Sequence, residues 1–324
     1  MDSNLQKVFV ARRIPQIGID SLAQQFAVTV HSGQLPPTRS ELLSGVGGCH
    51  GILSLLSDRI DGEVMDAAGA QLKVISNFAV GFNNIDVPEA TRRGIAVGNT
   101  PDVLTDATAD IAIALIMATA RRLREAWQAV DNLAWKTWEP TGWRGLDLVG
   151  STVGIVGMGR IGSKVAQRLY GGWNMRVLFT AHRAKAEDTF PFPARQVALD
   201  ELLTNSDFIS LHVPLSADTR HLIGAREFGL MKETAVVVNT ARGEIINQAA
   251  LVNALRNKQI FGAGLDVCDP EPLPEYDPLR QCENCLLLPH IGSATYSARD
   301  AMAVRAADNL LAGLTGNPLP YPVN

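Results

Sequence analysis

Three polar residues stand at the ends of three apolar runs in the second half of the sequence. Arg242 follows VVVNTA, Glu271 follows GLDVCDP, and His290 follows CLLLP. Such runs are typical of parallel strands buried on both faces, and an open sheet binds its ligands beyond the carboxyl ends of its strands. A guanidinium suits a carboxylate, and a carboxylate beside an imidazole favours the protonated ring. The pattern therefore predicts a site in which Arg242 binds a 2-oxo acid and His290, supported by Glu271, protonates its carbonyl oxygen.

Each of these residues also has an ordinary structural interpretation when it is taken alone. Arg242 could cap a turn, Glu271 could be a solvated side chain, and His290 could be a packed residue. Apolar runs normally end in turn residues, so a cation, an acid and an imidazole at successive strand ends favour the chemical interpretation.

A glycine-rich turn, GMGRIG, lies in the middle of the chain between an apolar run and a helical pattern. Gly157 would allow a tight turn, Gly159 would let the backbone approach a pyrophosphate, and Gly162 would let the helix pack closely on the strand. The helix would begin at Arg160 and Ile161, with its positive dipole end towards the phosphates. The alternative is a glycine-rich turn in an unrelated α/β protein. The strand before the turn and the helix after it favour a dinucleotide site, which would supply hydride to the 2-oxo acid.

The next apolar run distinguishes between the two nicotinamide cofactors. NAD-specific sites usually carry Asp or Glu at its end, where the carboxylate binds the ribose 2′-OH. Here the run ends in Thr180, Ala181, His182 and Arg183, without a carboxylate. A cation favours a 2′-phosphate, so this tip predicts NADPH, with NADH as the second possibility. The alternative is that His182 and Arg183 are exposed loop residues.

Composition narrows the class of protein. The net charge of −4 and the pI of about 5.9 give no reason to expect binding to nucleic acid or to an anionic membrane surface. The N-terminal segment lacks the apolar core of a signal peptide, and we find no apolar run of about 18 residues that could span a membrane, so we expect a cytoplasmic protein. Cys282 and Cys285 form a C-x-x-C, but no second ligand pair has zinc spacing, so we expect no metal.

Short apolar runs alternate with amphipathic stretches along all 324 residues, which predicts an α/β fold with parallel sheets. Residues 1–100 form a first series without phosphate-binding glycines. Residues 101–291 hold the glycine-rich series, which opens with a long buried helix whose start is marked by Pro101 and Asp102. The helical pattern after His290 is expected to pack back onto the first series. The prediction is two Rossmann-like or flavodoxin-like domains, with a cofactor domain (101–291) inserted into a discontinuous substrate-binding domain (1–100 and 292–324).

Over nearly its whole length the chain resembles the D-isomer-specific 2-hydroxyacid dehydrogenases. The resemblance rests on NFAVGFNNID, TPDVLTDATAD, GIVGMGRIG, HVPLSADTRHLI, MKETAVVVNTARGEIINQ, AGLDVCDPEPLP and LPHIGSAT. Within the family the chain looks most like the glyoxylate/hydroxypyruvate reductases and the related 2-ketogluconate reductases. This implies NADPH-dependent reduction of glyoxylate and hydroxypyruvate to glycolate and D-glycerate. Two alternatives are a broader 2-keto acid or 2-ketogluconate reductase, and a dinucleotide-sensing protein of the corepressor type.

The resemblance also implies roles for individual residues. Arg242, Glu271 and His290 would form the catalytic triad, and the backbone N–H groups of Val80 and Gly81 would bind the substrate carboxylate. Further residues would line the cofactor, namely Thr105, Pro214, Thr219, Thr240, Ala241 and Asp266. The side chain of Asp266 would face the nicotinamide carboxamide.

Two further residues would shape the substrate pocket. Leu55 matches a pocket position that favours small substrates. Family members dimerise through the cofactor domain, and Trp138 resembles an aromatic residue that reaches the neighbouring subunit's pocket. The alternative for Trp138 is that it only seals the interface of the homodimer.

Overall fold

The computed structural model describes residues 5–186 and 189–324. The strands are β1 (Lys7–Val10), β2 (Ala27–Val30), β3 (Gly51–Ser54), β4 (Val74–Asn77), β5 (Ala96–Gly98), β6 (Thr152–Val156), β7 (Arg176–Thr180), β8 (Ala194–Gln196), β9 (Phe208–Leu211), β10 (Val236–Asn239), β11 (Gly262–Leu265) and β12 (Cys285–Leu287). The helices are α1 (Gln16–Ala23), α2 (Arg39–Gly45), α3 (Gly62–Ala68), α4 (Val87–Arg92), α5 (Thr105–Ala120), α6 (Leu123–Asp131), α7 (Arg160–Trp173), α8 (Leu199–Asn205), α9 (Ala225–Leu230), α10 (Gln248–Arg256) and α11 (Tyr296–Leu314). None of these described helices combines the length and the apolar composition that a membrane span requires.

The chain divides into two compact units, Met1–Leu104 with Ala294–Asn324, and Thr105–Ser293. The first unit has a parallel sheet in the order β2-β1-β3-β4-β5, which is the flavodoxin-like order. Every residue of β3 and β4 is buried, because helices cover both faces of the sheet. Helix α11 returns to this unit, and at its contact with α1 a Cβ on Gly18 would lie 2.7 Å from the Ala303 carbonyl oxygen.

The second unit has a parallel sheet in the order β12-β11-β10-β9-β6-β7-β8. This is the doubly wound order of a dinucleotide-binding fold extended by one strand, and it reverses direction between β6 and β9. Two clusters of buried apolar side chains form the core, centred on Leu202, Phe228 and Leu255 in one case and on Leu115, Val165 and Phe208 in the other. The predicted fold class, with one α/β unit inserted into a discontinuous second one, is confirmed.

The prediction for the helix that opens the second unit is wrong in two details. The helix begins at Thr105 and not at Pro101, because Asp102 has a φ of +69° and cannot belong to a right-handed helix. The helical pattern is also interrupted at Arg122, whose φ of +52° ends α5 and starts α6 in a new direction. Strand β8 was not predicted, because three residues are too few to give a pattern.

The end of the chain is held to the first unit by Asn309 of α11, which is fully buried. Its side-chain amide donates to the Asn99 carbonyl at 3.0 Å, and its oxygen accepts from the Tyr321 N–H at 3.1 Å. Replacing Asn309 with alanine leaves both backbone groups without a partner, so we expect the free energy of unfolding to fall by about 3 kcal/mol. Urea denaturation followed by circular dichroism measures this loss. The exposed Asn317→Ala is the control, and a loss below about 1 kcal/mol for Asn309→Ala would contradict the prediction.

Candidate active site

The loops that follow β10, β11 and β12 leave the second sheet at the same edge. These three parallel strands are neighbours, and their last residues are in register, with Asn239 opposite Leu265 and Leu265 opposite Leu287. Arg242 lies three residues beyond the end of β10, and His290 lies three residues beyond the end of β12. Glu271 lies on the loop that follows β11. The topology therefore brings all three predicted residues to one edge of the sheet.

His290 and Glu271 form a direct pair. The Nδ1 atom of His290 lies 2.8 Å from Oε2 of Glu271, and the other carboxylate oxygen accepts from the Cys268 N–H at 3.2 Å. Because an ionised carboxylate can only accept, Nδ1 carries the proton of this bond. Nε2, the nitrogen on the opposite side of the ring, is then the atom that can exchange a proton with a substrate. The two side chains keep 23% and 30% of their surface exposed, so the ring is accessible to a small molecule.

The backbone holds His290 in a specific position. Its φ of +54° is uncommon for a residue with a side chain, and its N–H donates to the Asp266 carbonyl at 2.9 Å. The carboxylate of Asp266 is buried and accepts at 2.7 Å from the N–H groups of both Ile291 and Gly292. Burial raises the pKa of Asp266, and these two N–H donors act against that rise. Asp266 thus binds the loop that carries His290, and its role towards a nicotinamide carboxamide stays a prediction.

Arg242 lies at the end of a short turn that is closed by a buried side chain. The amide of Asn239 donates to the Arg242 carbonyl at 2.7 Å, and its oxygen accepts from the Ala241 N–H at 3.0 Å. The next residue, Gly243, packs against the loop that carries Glu271, since a Cβ there would lie 2.1 Å from the Cys268 carbonyl. Burial lowers the pKa of Arg242, while the negative charges of Glu271 and Glu244 raise it. A guanidinium is protonated at neutral pH, so the site holds a cation near the His290–Glu271 pair.

The glycine-rich turn connects β6 to α7 at the point where the strand order of the second sheet reverses. Gly157 has a φ of +99°, and a Cβ on it would lie 2.8 Å from the His212 carbonyl carbon. A Cβ on Gly162 would lie 2.4 Å from the Gly157 carbonyl oxygen. In contrast, a Cβ on Gly159 would have no atom within 4 Å. Neighbouring backbone atoms thus leave no room for a side chain at Gly157 and Gly162. At Gly159 the space is open, so a ligand can approach the backbone there.

The first turn of α7 has the features of an anion site. Gly159 is the N-cap of this 14-residue helix and has no side chain to accept from the first N–H groups. Arg160 is exposed at the start of the helix, and Ile161 is partly buried behind it. The residues present therefore fit the pyrophosphate of a dinucleotide, which the helix dipole and the first N–H groups would bind.

The tip of β7 carries exposed cationic side chains. His182 and Arg183 are both exposed, which fits a 2′-phosphate site and an ordinary loop alike, and Lys185 adds a third basic side chain. Gln196 of β8 shapes this loop, because its oxygen accepts from the Lys185 N–H at 2.9 Å and its amide donates to the Ala181 carbonyl at 3.3 Å. No carboxylate lies among residues 180–186.

The other predicted cofactor residues lie on the second unit. Pro214 and Thr219 belong to the loop after β9, where the Thr219 hydroxyl donates to the Pro214 carbonyl at 2.6 Å. Thr240 and Ala241 follow β10, and Thr240 Oγ1 is buried with no hydrogen-bond partner among the described residues. Thr105 is the first residue of α5. The unpaired Thr240 hydroxyl is consistent with a polar ligand at this edge, and the individual roles stay predictions.

The predicted substrate residues of the first unit lie at one edge of its sheet. Leu55 directly follows β3, and Val80 and Gly81 follow the adjacent parallel strand β4. The amide of Asn84 donates to the Leu55 carbonyl at 3.0 Å and connects the two loops. The roles of Leu55, Val80 and Gly81 towards substrate stay predictions.

Trp138 lies in the second unit, in the segment after α6, with 79% of its surface exposed. It therefore has little contact with its own chain, which leaves both the partner-pocket role and the interface role as predictions. Helix α6 precedes it and has no buried residue in the described part of the chain. Three apolar side chains of α6 at helical spacing, Leu123, Trp127 and Val130, are more than half exposed.

The two cysteines of the C-x-x-C segment lie in the interior of the second unit. Cys285 is buried, and burial raises the pKa of its thiol well above the ordinary value. Burial also raises the pKa of the Cys282 thiol. In residues 5–186 and 189–324 no group of three or more His, Cys, Asp or Glu side chains could hold a metal ion. Both cysteines pack in the apolar core.

Sequence reasoning missed the side chains that shape the site without touching a ligand. Asn239 closes the turn of Arg242, and Gln196 holds the loop of Arg183. Asp266 was predicted as a cofactor residue, but its bonds to the loop of His290 were not. Asn239 gave one usable signal, because asparagine directly after a buried strand favours a turn that its own side chain closes. Gln196 gave none, since its partners lie on the loop after β7, more than ten residues away in sequence.

Comparison with known proteins gives matches over nearly the whole chain. The sequence profile of the NAD-binding domain of D-isomer specific 2-hydroxyacid dehydrogenases matches residues 113–292. A glyoxylate reductase/hydroxypyruvate reductase from Homo sapiens is 47% identical over 318 residues, covering 98% of this chain and 97% of the relative. A glyoxylate reductase from Thermococcus gammatolerans is 47% identical over 322 residues, covering 98% and 96%.

Solved structures give the same result. The TT0316 protein from Thermus thermophilus has a TM-score of 0.92 and 45% identity, covering 98% of this chain and all of that one. An NADPH-dependent glyoxylate/hydroxypyruvate reductase from Sinorhizobium meliloti, solved with NADP and malonate, has a TM-score of 0.83 and 31% identity, covering 99% and 97%. The resemblance seen in the motifs is thus confirmed. The chain belongs to the D-isomer specific 2-hydroxyacid dehydrogenases, a family of NAD(P)H-dependent oxidoreductases.

Proposed function

We propose that this protein reduces small 2-oxo acids, glyoxylate and hydroxypyruvate, to glycolate and D-glycerate, with NADPH as the preferred reductant. The observation that carries the proposal is the 2.8 Å contact between His290 Nδ1 and Glu271 Oε2 at the sheet edge that also bears Arg242. The pair offers a proton donor, and Arg242 offers a cation for the carboxylate of the substrate. The names of the relatives from Homo sapiens and Thermococcus support the two substrates.

In the proposed mechanism the residues of this chain bind, orient and protonate the substrate. Arg242 and the N–H groups of Val80 and Gly81 hold the carboxylate of the 2-oxo acid. Nε2 of protonated His290 donates its proton to the carbonyl oxygen, and Glu271 stabilises the imidazolium and fixes the ring. The glycine turn with Arg160 and Ile161 would hold the pyrophosphate of a nicotinamide dinucleotide, lined further by Thr105, Pro214, Thr219, Thr240, Ala241 and Asp266. When bound, the dinucleotide supplies the hydride that the carbonyl carbon receives.

The preference for NADPH rests on the tip of β7. His182 and Arg183 are exposed there, and residues 180–186 contain no carboxylate that would repel a 2′-phosphate. The Sinorhizobium meliloti reductase, which is NADPH-dependent and was solved in complex with NADP, supports the same preference.

Initial rates with glyoxylate, hydroxypyruvate and 2-ketogluconate, each with NADPH and with NADH, test the proposal. We expect glyoxylate and hydroxypyruvate to be reduced faster than 2-ketogluconate. We also expect each of them to be reduced faster with NADPH than with NADH. A preference for 2-ketogluconate would replace the proposal by a broader 2-keto acid reductase with a pocket that Leu55 does not narrow. Dinucleotide binding without turnover of any acid would favour a sensing protein of the corepressor type.

A homodimer is part of the proposal, and the apolar face of α6 supports it. An amphipathic helix normally buries its apolar face, yet Leu123, Trp127 and Val130 are 53%, 66% and 51% exposed. We expect sedimentation equilibrium to give twice the chain mass of 34.9 kDa, and the double variant Leu123→Lys/Trp127→Lys to give the monomer mass. The exposed Tyr276→Lys is the control for adding a charge. A monomeric wild-type protein would rule out the dimer; the cytoplasmic location stays a prediction.

A further inference from the structure

The turn after β4 has three successive carbonyl groups that are all hydrogen-bonded to the interior of the first unit. The Ala79 carbonyl accepts from the Thr100 N–H at 2.9 Å. The Val80 carbonyl accepts from the side-chain amide of Asn99 at 2.7 Å, and the Gly81 carbonyl accepts from the side-chain amide of Asn77 at 2.8 Å. Three consecutive carbonyls held by separate donors leave this turn little rotational freedom.

Fixing these carbonyls also fixes the direction of the N–H groups. In a planar trans peptide the C=O of one residue and the N–H of the next point in opposite directions. The bond to the Ala79 carbonyl therefore orients the Val80 N–H, and the bond from Asn99 to the Val80 carbonyl orients the Gly81 N–H. In the described part of the chain the N–H groups of Val80 and Gly81 donate to no protein acceptor.

The two asparagines are themselves held in place. Asn77 is fully buried, and its oxygen accepts from the Ser54 hydroxyl at 2.9 Å. The backbone of Asn99 is bound on both sides, since its N–H donates to the Tyr321 carbonyl at 3.2 Å and its carbonyl accepts from Asn309 at 3.0 Å. Both side-chain amides therefore reach the turn from fixed positions.

We infer that Asn99 and Asn77 are positioning residues that aim the N–H groups of the Val80–Gly81 turn at the substrate carboxylate. Asn99 acts through the Val80 carbonyl on the Gly81 N–H, and Asn77 closes the turn through the Gly81 carbonyl. Neither side chain touches the substrate. Without Asn99 the peptide between Val80 and Gly81 can rotate, so the Gly81 N–H no longer points in a fixed direction. Binding of the carboxylate then has to order this peptide, and the entropy lost in doing so weakens the binding. This inference rests on the proposed function, because it assumes that the turn binds a 2-oxo acid.

The test compares an acid with its ester. Glyoxylate carries the carboxylate that the turn would bind, whereas methyl glyoxylate has the same reducible carbonyl without the negative charge. In Asn99→Ala we expect the ratio of kcat/KM for glyoxylate to that for methyl glyoxylate to fall roughly tenfold, the usual effect of one hydrogen bond. The change should lie mainly in the KM for glyoxylate, with a smaller change in kcat. A defect that merely loosened the fold would lower kcat/KM for both substrates to the same extent and leave the ratio unchanged.

Asn77→Ala is the second variant, because it removes the amide that donates to the Gly81 carbonyl without adding a charge that would itself repel an anion. We expect a fall in the ratio of similar size. Gln71→Ala is the matched control, since Gln71 also donates its side-chain amide to a backbone carbonyl of the same unit, that of Cys49, at the opposite end of β4. Gln71→Ala should leave the ratio at the wild-type value.

The outcomes separate the inference from the proposed function. A lower ratio in both asparagine variants, with an unchanged ratio in Gln71→Ala, supports the inference. A wild-type ratio in folded Asn99→Ala and Asn77→Ala overturns it, while the proposed function stands. A wild-type protein that does not reduce glyoxylate contradicts the proposed function, and the inference fails with it.

Discussion

Replacing His290 with alanine is expected to lower kcat for glyoxylate reduction by about 100- to 10,000-fold, the usual contribution of a positioned general acid. The expectation rests on the pair with Glu271, in which Nδ1 is bound to the carboxylate and Nε2 is left to donate the proton. Steady-state rates with saturating NADPH measure the loss. The dissociation constant for NADPH should change little, because the glycine turn lies elsewhere in the second unit.

His221 provides a matched control for this experiment. It is an exposed histidine of the same unit, and its φ of +54° equals that of His290, so alanine brings the same backbone strain at either position. His221→Ala should retain nearly full turnover. Glu271→Gln should reduce kcat less than His290→Ala, since the ring keeps a hydrogen-bond acceptor but loses the negative charge that stabilises the imidazolium. Near-normal turnover in His290→Ala would refute the role of His290 as proton donor.

Neutralising the tip of β7 should change the choice of cofactor. In the double variant His182→Gln/Arg183→Gln we expect kcat/KM for NADPH to fall about 100-fold relative to that for NADH, because charge-assisted bonds to the 2′-phosphate are lost. The reaction with NADH should be nearly unaffected, since a 2′-OH does not need a cation. Initial rates at varied concentrations of each cofactor, with glyoxylate fixed, measure the ratio.

Arg195→Gln is the control for this second experiment. Arg195 is an exposed cation on β8 in the same unit, where it pairs with Glu201 at 2.8 Å. Arg195→Gln removes one positive charge, as the loss of Arg183 does. It should not change the ratio of kcat/KM for NADPH to that for NADH. Equal losses with NADPH and NADH in the double variant would mean that neither His182 nor Arg183 recognises the phosphate, and the preference for NADPH would then lack its basis.

Periodicity and turn chemistry in the sequence were enough to predict the architecture. Parallel strands buried on both faces have nearly continuous apolar runs, and such runs located β3, β4, β6 and β9 to β12 in their correct order. Because parallel strands present their carboxyl ends at one edge, the sequence also predicted that Arg242, Glu271 and His290 would come together. Elements were missed or misplaced where the pattern is short or the backbone is unusual, as at β8 and at Asp102.

Only the tertiary structure identified the side chains that hold the site in shape. Asn99 binds the Val80 carbonyl across 19 residues, Asp266 binds the Gly292 N–H across 26, and Gly243 is required by the backbone of Cys268. The sequence by itself determined which residues carry charge, which carry protons, and at which strand ends they stand, because these depend on residue type and local pattern. The contacts that orient those residues depend on distances between segments remote in sequence, and such distances exist only once the two sheets have formed.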